Sequence, residues 1–191
     1  MKRNAFTIIE VVLVLAIAGL IFLMVFLALP ALYRNQRNER RREDVNRIYS
    51  QIPNYQKNNH GKPPFNADTG EFDAKFVSHY IDDECTGDHE VQADQAGGAS
   101  YGGIAFSSCG SAFSDPDGTP YVVGHMASTD TVPDNASANH VIYFGARMIC
   151  RGEDNASEDA TVDASPNSFV IMMILEGGAI YCVDNATLPT N

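Results

Sequence analysis

The 191-residue chain has no tryptophan and only four cysteines, none of them in a Cys-x-x-Cys pair. Its five histidines, His60, His79, His89, His125 and His140, are scattered without metal-ligand spacing, which argues against a zinc or histidine-based catalytic centre. Serine and cysteine nucleophile motifs are absent too, so no enzymatic activity is expected. Positive charge is scarce beyond residue 62: residues 63–191 hold 3 basic and 20 acidic side chains, net −17. A surface of that sign repels phosphate and excludes nucleic-acid binding by this part of the chain. The first 62 residues are the opposite, with 10 basic and 4 acidic side chains, net +6. A hydrophobic fraction of 45% excludes a disordered chain, although residues 85–139 are locally rich in Gly, Ser, Asp and Ala. The length suits one domain with an appendage.

The appendage is N-terminal. From Val11 to Leu29 the sequence VVLVLAIAGLIFLMVFLAL holds no polar side chain over 19 residues. As helix it spans about 28 Å, enough for a hydrocarbon core of roughly 30 Å. A cleaved secretory signal has a shorter apolar region, about 7–15 residues. A plain signal anchor explains the length but not Glu10, at the lip of the run. An ionised carboxylate facing lipid costs about 2.5–3.5 kcal/mol, so such a residue normally has a partner.

Ahead of Glu10 stand a basic stub with Lys2 and Arg3, then Ala5, Phe6 and Thr7. A short basic leader, a small residue and Phe-Thr-x-x-Glu opening an apolar helix resemble the class III signal of type IV pilins and pseudopilins. The resemblance implies that a prepilin peptidase cuts between Ala5 and Phe6 and methylates the new amino group of Phe6. Glu10 then pairs with that amine on a neighbouring subunit. Two buried opposite charges offset their desolvation only in mutual contact, so Glu10 would act as a register device between helices. The chain departs from the family at Ala5, where glycine is usual, and at Pro30. That proline lies about three residues later than in major pilins and is expected to kink or melt the helix locally.

Beyond Pro30 an arginine-rich run, Arg34 to Arg42, reads as a solvated helix face touching lipid headgroups. The six arginines after the span, against Lys2 and Arg3 before it, would by the positive-inside rule place the C-terminus in the cytoplasm. The processing motif and the cysteine usage point the other way and are followed. Val45, Ile48, Tyr49, Ile52 and Tyr55 recur at helical spacing and give an amphipathic continuation. The helix is expected from about Phe6 to Ile52, with Pro53 weakening its last turn and Asn58 to Pro64 stopping it. Phe72 to Ile81 reads as a short helix, and the acidic stretch from Asp82 to Ser100 as a loop pinned by Cys85. Asp115-Pro116-Asp117-Gly118-Thr119-Pro120-Tyr121 is a turn leading into Val122-Val123, and it resembles a turn common in pseudopilin heads. Strands are expected at Val141–Ile149, Phe169–Leu175 and Ala179–Val183, the last two joined by Gly177-Gly178. Ile142, Phe144, Ala146, Met148 and Cys150 then alternate onto one face. Four cysteines allow three connectivities; Cys85 with Cys109 and Cys150 with Cys182 are the expected pairs, which implies an oxidising compartment.

The expected fold is α+β: a long N-terminal transmembrane and amphipathic helix packed on a small antiparallel sheet, pilin-like in layout. Its parts are a leader (1–5), a transmembrane and polymerisation half of the helix (6–32), an amphipathic half (33–58) and a disulfide-containing head (59–191). No cofactor is expected. Acidic residues Glu153, Asp154, Glu158, Asp159 and Asp163 are the calcium candidates, with a solvated loop the favoured reading. Three Asn-x-Ser/Thr sequons, at Asn135, Asn155 and Asn185, arise readily by chance in such a composition.

The resemblance implies a structural subunit of a type IV pilus-like surface filament, with adhesion or motility roles. Its partners would be like subunits, the prepilin peptidase, an inner-membrane assembly platform with its ATPases, and membrane lipid before assembly. The chain would be single-pass in the membrane first, then extracellular with the head outside the cytoplasm. The alternatives are a pseudopilin of a type II-like secretion system and a monomeric signal-anchored surface binding protein.

Overall fold

A computed structural model describes residues 7–66, 72–73, 75–91, 103–108, 113–126, 140–146, 148–150 and 168–185, with backbone alone for 86–91, 103, 107 and 108. The chain forms two compact units, Met1–Arg37 and Asn38–Asn191. One helix, α1 (Ile8–Asn58), supplies most of the first unit and then runs on into the second.

Within the first unit the apolar side chains from Ile8 to Tyr33 are exposed, Phe26 at 70% and Leu27 at 73%, with Ala18 and Leu29 partly covered. The helix is long and apolar enough to cross a membrane, and among the described residues its most apolar stretch is unburied. Pro30 lies inside the helix without ending it. In the second unit the same helix buries Arg41, Asp44, Val45, Ile48, Ile52 and Tyr55, one face at three- and four-residue spacing. Burying each of the four apolar residues among these stabilises the unit by about 1.5–3 kcal/mol.

The helix continues through Pro53 to Asn58, six residues beyond the expected end at Ile52. Pro53 is exposed, so its ring lies on the watered face while Tyr55 stays buried. The stop comes at His60 and Gly61, both at positive φ (56° and 80°), where the Gly61 amide donates to the Gln56 carbonyl at 2.8 Å. That left-handed reversal is a common helix terminator.

Six strands form one sheet in chain order: β1 (Thr86–Val91), β2 (Gly103–Ser108), β3 (Val122–Met126), β4 (Val141–Ala146), β5 (Phe169–Ile174) and β6 (Ile180–Asp184). The fold class is α+β as expected, but the sheet is not wholly antiparallel, because β3 and β4 run parallel. The 14 residues from 127 to 140 that join them are long enough for the crossover that parallel pairing demands. A second correction concerns Asp82 to Ser100: Thr86–Val91 is an edge strand paired with β2, not loop. Its sequence TGDHEV lacks apolar alternation, as is common where an edge strand is charged to discourage pairing with other chains. Of the expected Phe72–Ile81 helix, Lys75 to Ile81 is helical, and its last turn, Val77–Ile81, is a π turn closed by the Asp82 amide donating to the Val77 carbonyl at 3.0 Å.

Every residue of β3, β4 and β5 is buried, so the sheet has two covered faces. Ile142, Phe144, Ala146, Phe169, Ile171, Met173 and Val123 pack with Val45, Ile48, Ile52 and Tyr55 of α1. Val122, Val141, Tyr143, Val170, Met172 and Ile174 form a second core with Met148. Met148 and Cys150 thus leave the face expected for them: β4 ends at Ala146 and the chain folds back onto the second face. There the Met148 Sδ occupies the room where a side chain at Gly145 would begin.

Candidate functional site

Two places on α1 carry polar groups into apolar surroundings, one at each end of its exposed half. The first is the helix start. The Thr7 amide and hydroxyl both donate to Glu10 Oε2, at 2.8 and 3.0 Å, and the Glu10 amide donates to Thr7 Oγ1 at 3.3 Å. This is a reciprocal capping box, in which the hydroxyl and the carboxylate satisfy amides that a helix start leaves open. Thr-x-x-Glu before an apolar run is its sequence signature, so Glu10 has a partner within its own chain. Ala5 and Phe6, the cleavage and methylation residues, lie outside the described residues.

The second place is where α1 enters the head unit. Arg41, 1% exposed, sits on the buried face because it is one helical turn ahead of Val45. Its Nε and Nη2 donate to Asp115 Oδ2 and Oδ1 at 2.6 and 2.7 Å, a fork-on-fork pair, and its Nη1 donates to Glu176 Oε1 at 2.8 Å. Burial disfavours the charge, but the hydrogen bonds to Asp115 and Glu176 outweigh it and hold the guanidinium proton above its usual strength. One turn earlier, the Asn38 side chain treats the Glu176 backbone as a strand would. Its Nδ2 donates to the Glu176 carbonyl at 3.1 Å and its Oδ1 accepts from the Glu176 amide at 2.9 Å. Three residues after Arg41, buried Asp44 accepts the Tyr121 hydroxyl at 2.8 Å. Burial raises the Asp44 carboxyl above its ordinary value, against the Tyr121 hydrogen bond and the charges of Arg47 and Arg40.

The two turns held this way are the Asp115–Tyr121 turn and the Glu176–Gly178 hairpin between β5 and β6. Asp115 has the conformation that lets it serve twice: Oδ1 also accepts the Asp117 amide at 3.1 Å, an Asx turn, while its own amide donates to the Thr119 carbonyl at 2.9 Å. Gly118 and Gly177 take positive φ, 89° and 100°, at the tips. Arg41 therefore is not a headgroup ligand, which corrects the reading of Arg34 to Arg42 as one solvated face. Its neighbour Arg42 pairs with Glu39 at 3.3 Å and lies 5.4 Å over the Tyr181 ring.

Cys150 and Cys182 form a disulfide with Cα atoms 5.9 Å apart, tying the segment after β4 to β6 across the second face. Cys85 is disulfide-bonded as well, while Cys109, its expected partner, lies outside the described residues. The calcium candidates Glu153, Asp154, Glu158, Asp159 and Asp163 and the sequons at Asn135 and Asn155 also lie outside them. Asn185 directly follows β6, its Oδ1 accepting the Phe169 amide at 2.8 Å. Among the described residues no group of three or more His, Cys, Asp or Glu side chains is placed to hold a metal.

Together these features define an α+β head built on a helix whose other half is a candidate membrane span. No protein-family model, curated protein or solved structure matches the chain.

Proposed function

We propose that the protein is a structural subunit of a type IV pilus-like filament, held in the membrane before assembly by the exposed half of α1 and polymerised through it afterwards. One observation carries this reading. A single unbroken helix has two burial regimes, apolar and uncovered from Ile8 to Tyr33, then buried along one face in the head from Arg41 to Tyr55. The uncovered half needs an apolar environment from outside the chain, and lipid and a bundle of like helices are the two that fit. The Phe-Thr-x-x-Glu pattern favours helices exchanged between the two, with Glu10 supplying the charge that sets their stagger. In this role the head performs no catalysis and takes no cofactor. A pseudopilin of a secretion system uses the same parts and is the near alternative.

The capping box favours a second reading, a monomeric signal-anchored protein, because it gives Glu10 a partner without a neighbour. The N-terminal sequence and intact mass, taken from a sheared surface fraction and from membranes, separate the two. The filament reading expects a chain beginning at N-methylated Phe6 in the sheared fraction. A chain beginning at Met1 and confined to membranes overturns it.

A further inference from the structure

Asn38, Arg41 and Asp44 engage the head through polar contacts at the start of its share of α1, and the apolar stripe of Val45, Ile48, Ile52 and Tyr55 follows. Those apolar contacts recur at each turn, so a helix sliding by one turn, about 5.4 Å, would bring a similar stripe against the same core. Hydrophobic contact is non-directional and resists such sliding weakly. The polar contacts fit a single register. Six hydrogen bonds tie three helix residues to two separate turns: one donated and one accepted by Asn38, three donated by Arg41 and one accepted by Asp44. They stand at 2.6–3.1 Å and are lost once donor and acceptor part beyond about 3.5 Å, so a shift much smaller than one turn breaks them.

Equilibrium stability does not explain the cluster, because replacing a buried ion pair by apolar residues of like volume is often neutral or stabilising; fixing a register is the better-attested use. We propose that the cluster is a shear clamp, which fixes the axial register of α1 against the head and resists tension entering along the helix from its anchored half. Such tension arises whether Ile8 to Tyr33 is held by a bilayer or by other helices, so the inference survives failure of the filament reading.

The test uses the full chain in detergent micelles, pulled at constant force between a handle on Gln36→Cys and one at the C-terminus. The variant Arg41→Met/Asp115→Asn/Glu176→Gln removes the charges and leaves the Asp115 turn its acceptor. Its unfolding rate under load is expected to rise about tenfold or more, given the number of hydrogen bonds lost. That factor should exceed the rise in its unfolding rate without load, measured by denaturant jump. Equal factors with and without load overturn the clamp. Should the triple variant not fold, Asn38→Leu, at a half-buried position, removes two of the six bonds and is read the same way.

Discussion

Arg41→Ala should be the most damaging single change in the head. The substitution leaves Asp115, whose side chain is fully buried, without the two guanidinium bonds at 2.6 and 2.7 Å, and deprives Glu176 of its bond at 2.8 Å. Only the Asp117 amide at 3.1 Å then remains among the bonds described to the Asp115 carboxylate. Stranding one member of a buried pair costs about 3–5 kcal/mol, against about 5–15 kcal/mol for the stability of a typical domain. For a domain of this size that corresponds to a fall in Tm of about 6–20 °C. The internal control is the next residue. Arg42 has a side chain 42% exposed, and its partner Glu39 is 66% exposed. A pair of that kind contributes about 0–1 kcal/mol and the contact over the Tyr181 ring about 0.5–1 kcal/mol more, so Arg42→Ala should lower Tm by no more than about 8 °C and by clearly less than Arg41→Ala. Urea and thermal unfolding of the full chain in mild detergent, followed by near-ultraviolet circular dichroism, measures both. Equal losses for the two arginines would refute the assignment of Arg41 to a desolvated pair.

Asp44→Asn should change the pH dependence of stability with a defined sign. Burial raises the folded carboxyl above its ordinary 3.8, so the folded state binds that proton more tightly than the unfolded one; stability is whole below 3.8 and is lost as pH rises through the folded value. Asparagine removes the slope and keeps an acceptor for Tyr121, so the variant should gain on the parent in urea unfolding between about pH 3 and pH 7. A variant that loses ground over that range contradicts the sign. Gly145→Ala brings a methyl group against the Met148 sulfur and to 2.9 Å from Val170 Cγ2. Overpacking of this kind costs about 1–3 kcal/mol, and an unchanged Tm would show that the second core is loose.

Much of this layout is legible in the residues. The uninterrupted run from Val11 to Leu29 marks a helix needing an apolar surrounding, and the spacing of Val45, Ile48, Ile52 and Tyr55 marks the half that packs on a sheet. β4 and β5 are apolar throughout, VIYFGA and FVIMMI, which is the pattern of strands covered on both faces rather than alternating. β2 carries a weaker sign, Ile104 and Phe106 in a stretch otherwise of small residues. β1 carries almost none, since its place depends on pairing with β2 over long range. The clamp was half legible. Extending the buried stripe backwards from Val45 by four residues selects Arg41 out of Arg40-Arg41-Arg42, and three more select Asn38. No local rule names Asp115 and Glu176 as their partners, because they are 74 and 135 residues away along the chain.

The two charged residues that α1 brings to demanding places are satisfied in different ways, and the difference shapes the test of what Glu10 is for. Arg41 has opposite charges within its own chain, and its neutralisation is complete there. Glu10 has hydrogen bonds from Thr7 but no cation among the partners described for it. A capping box works as well with glutamine as with glutamate, since the side-chain oxygen accepts the N-cap amide in either case. If capping were its whole purpose, glutamine would serve without placing a full negative charge beside an apolar helix, a charge that at the centre of a span costs about 2.5–3.5 kcal/mol. Glu10→Gln is therefore sharper than Glu10→Ala. Glutamine keeps the cap and removes the charge, whereas alanine removes both and leaves the Thr7 amide without its side-chain acceptor. In the filament reading Glu10→Gln leaves membrane levels unchanged and abolishes the sheared fraction, as Glu10→Ala does. Filaments assembled at parental level from the glutamine variant would show that the carboxylate is a cap and nothing more.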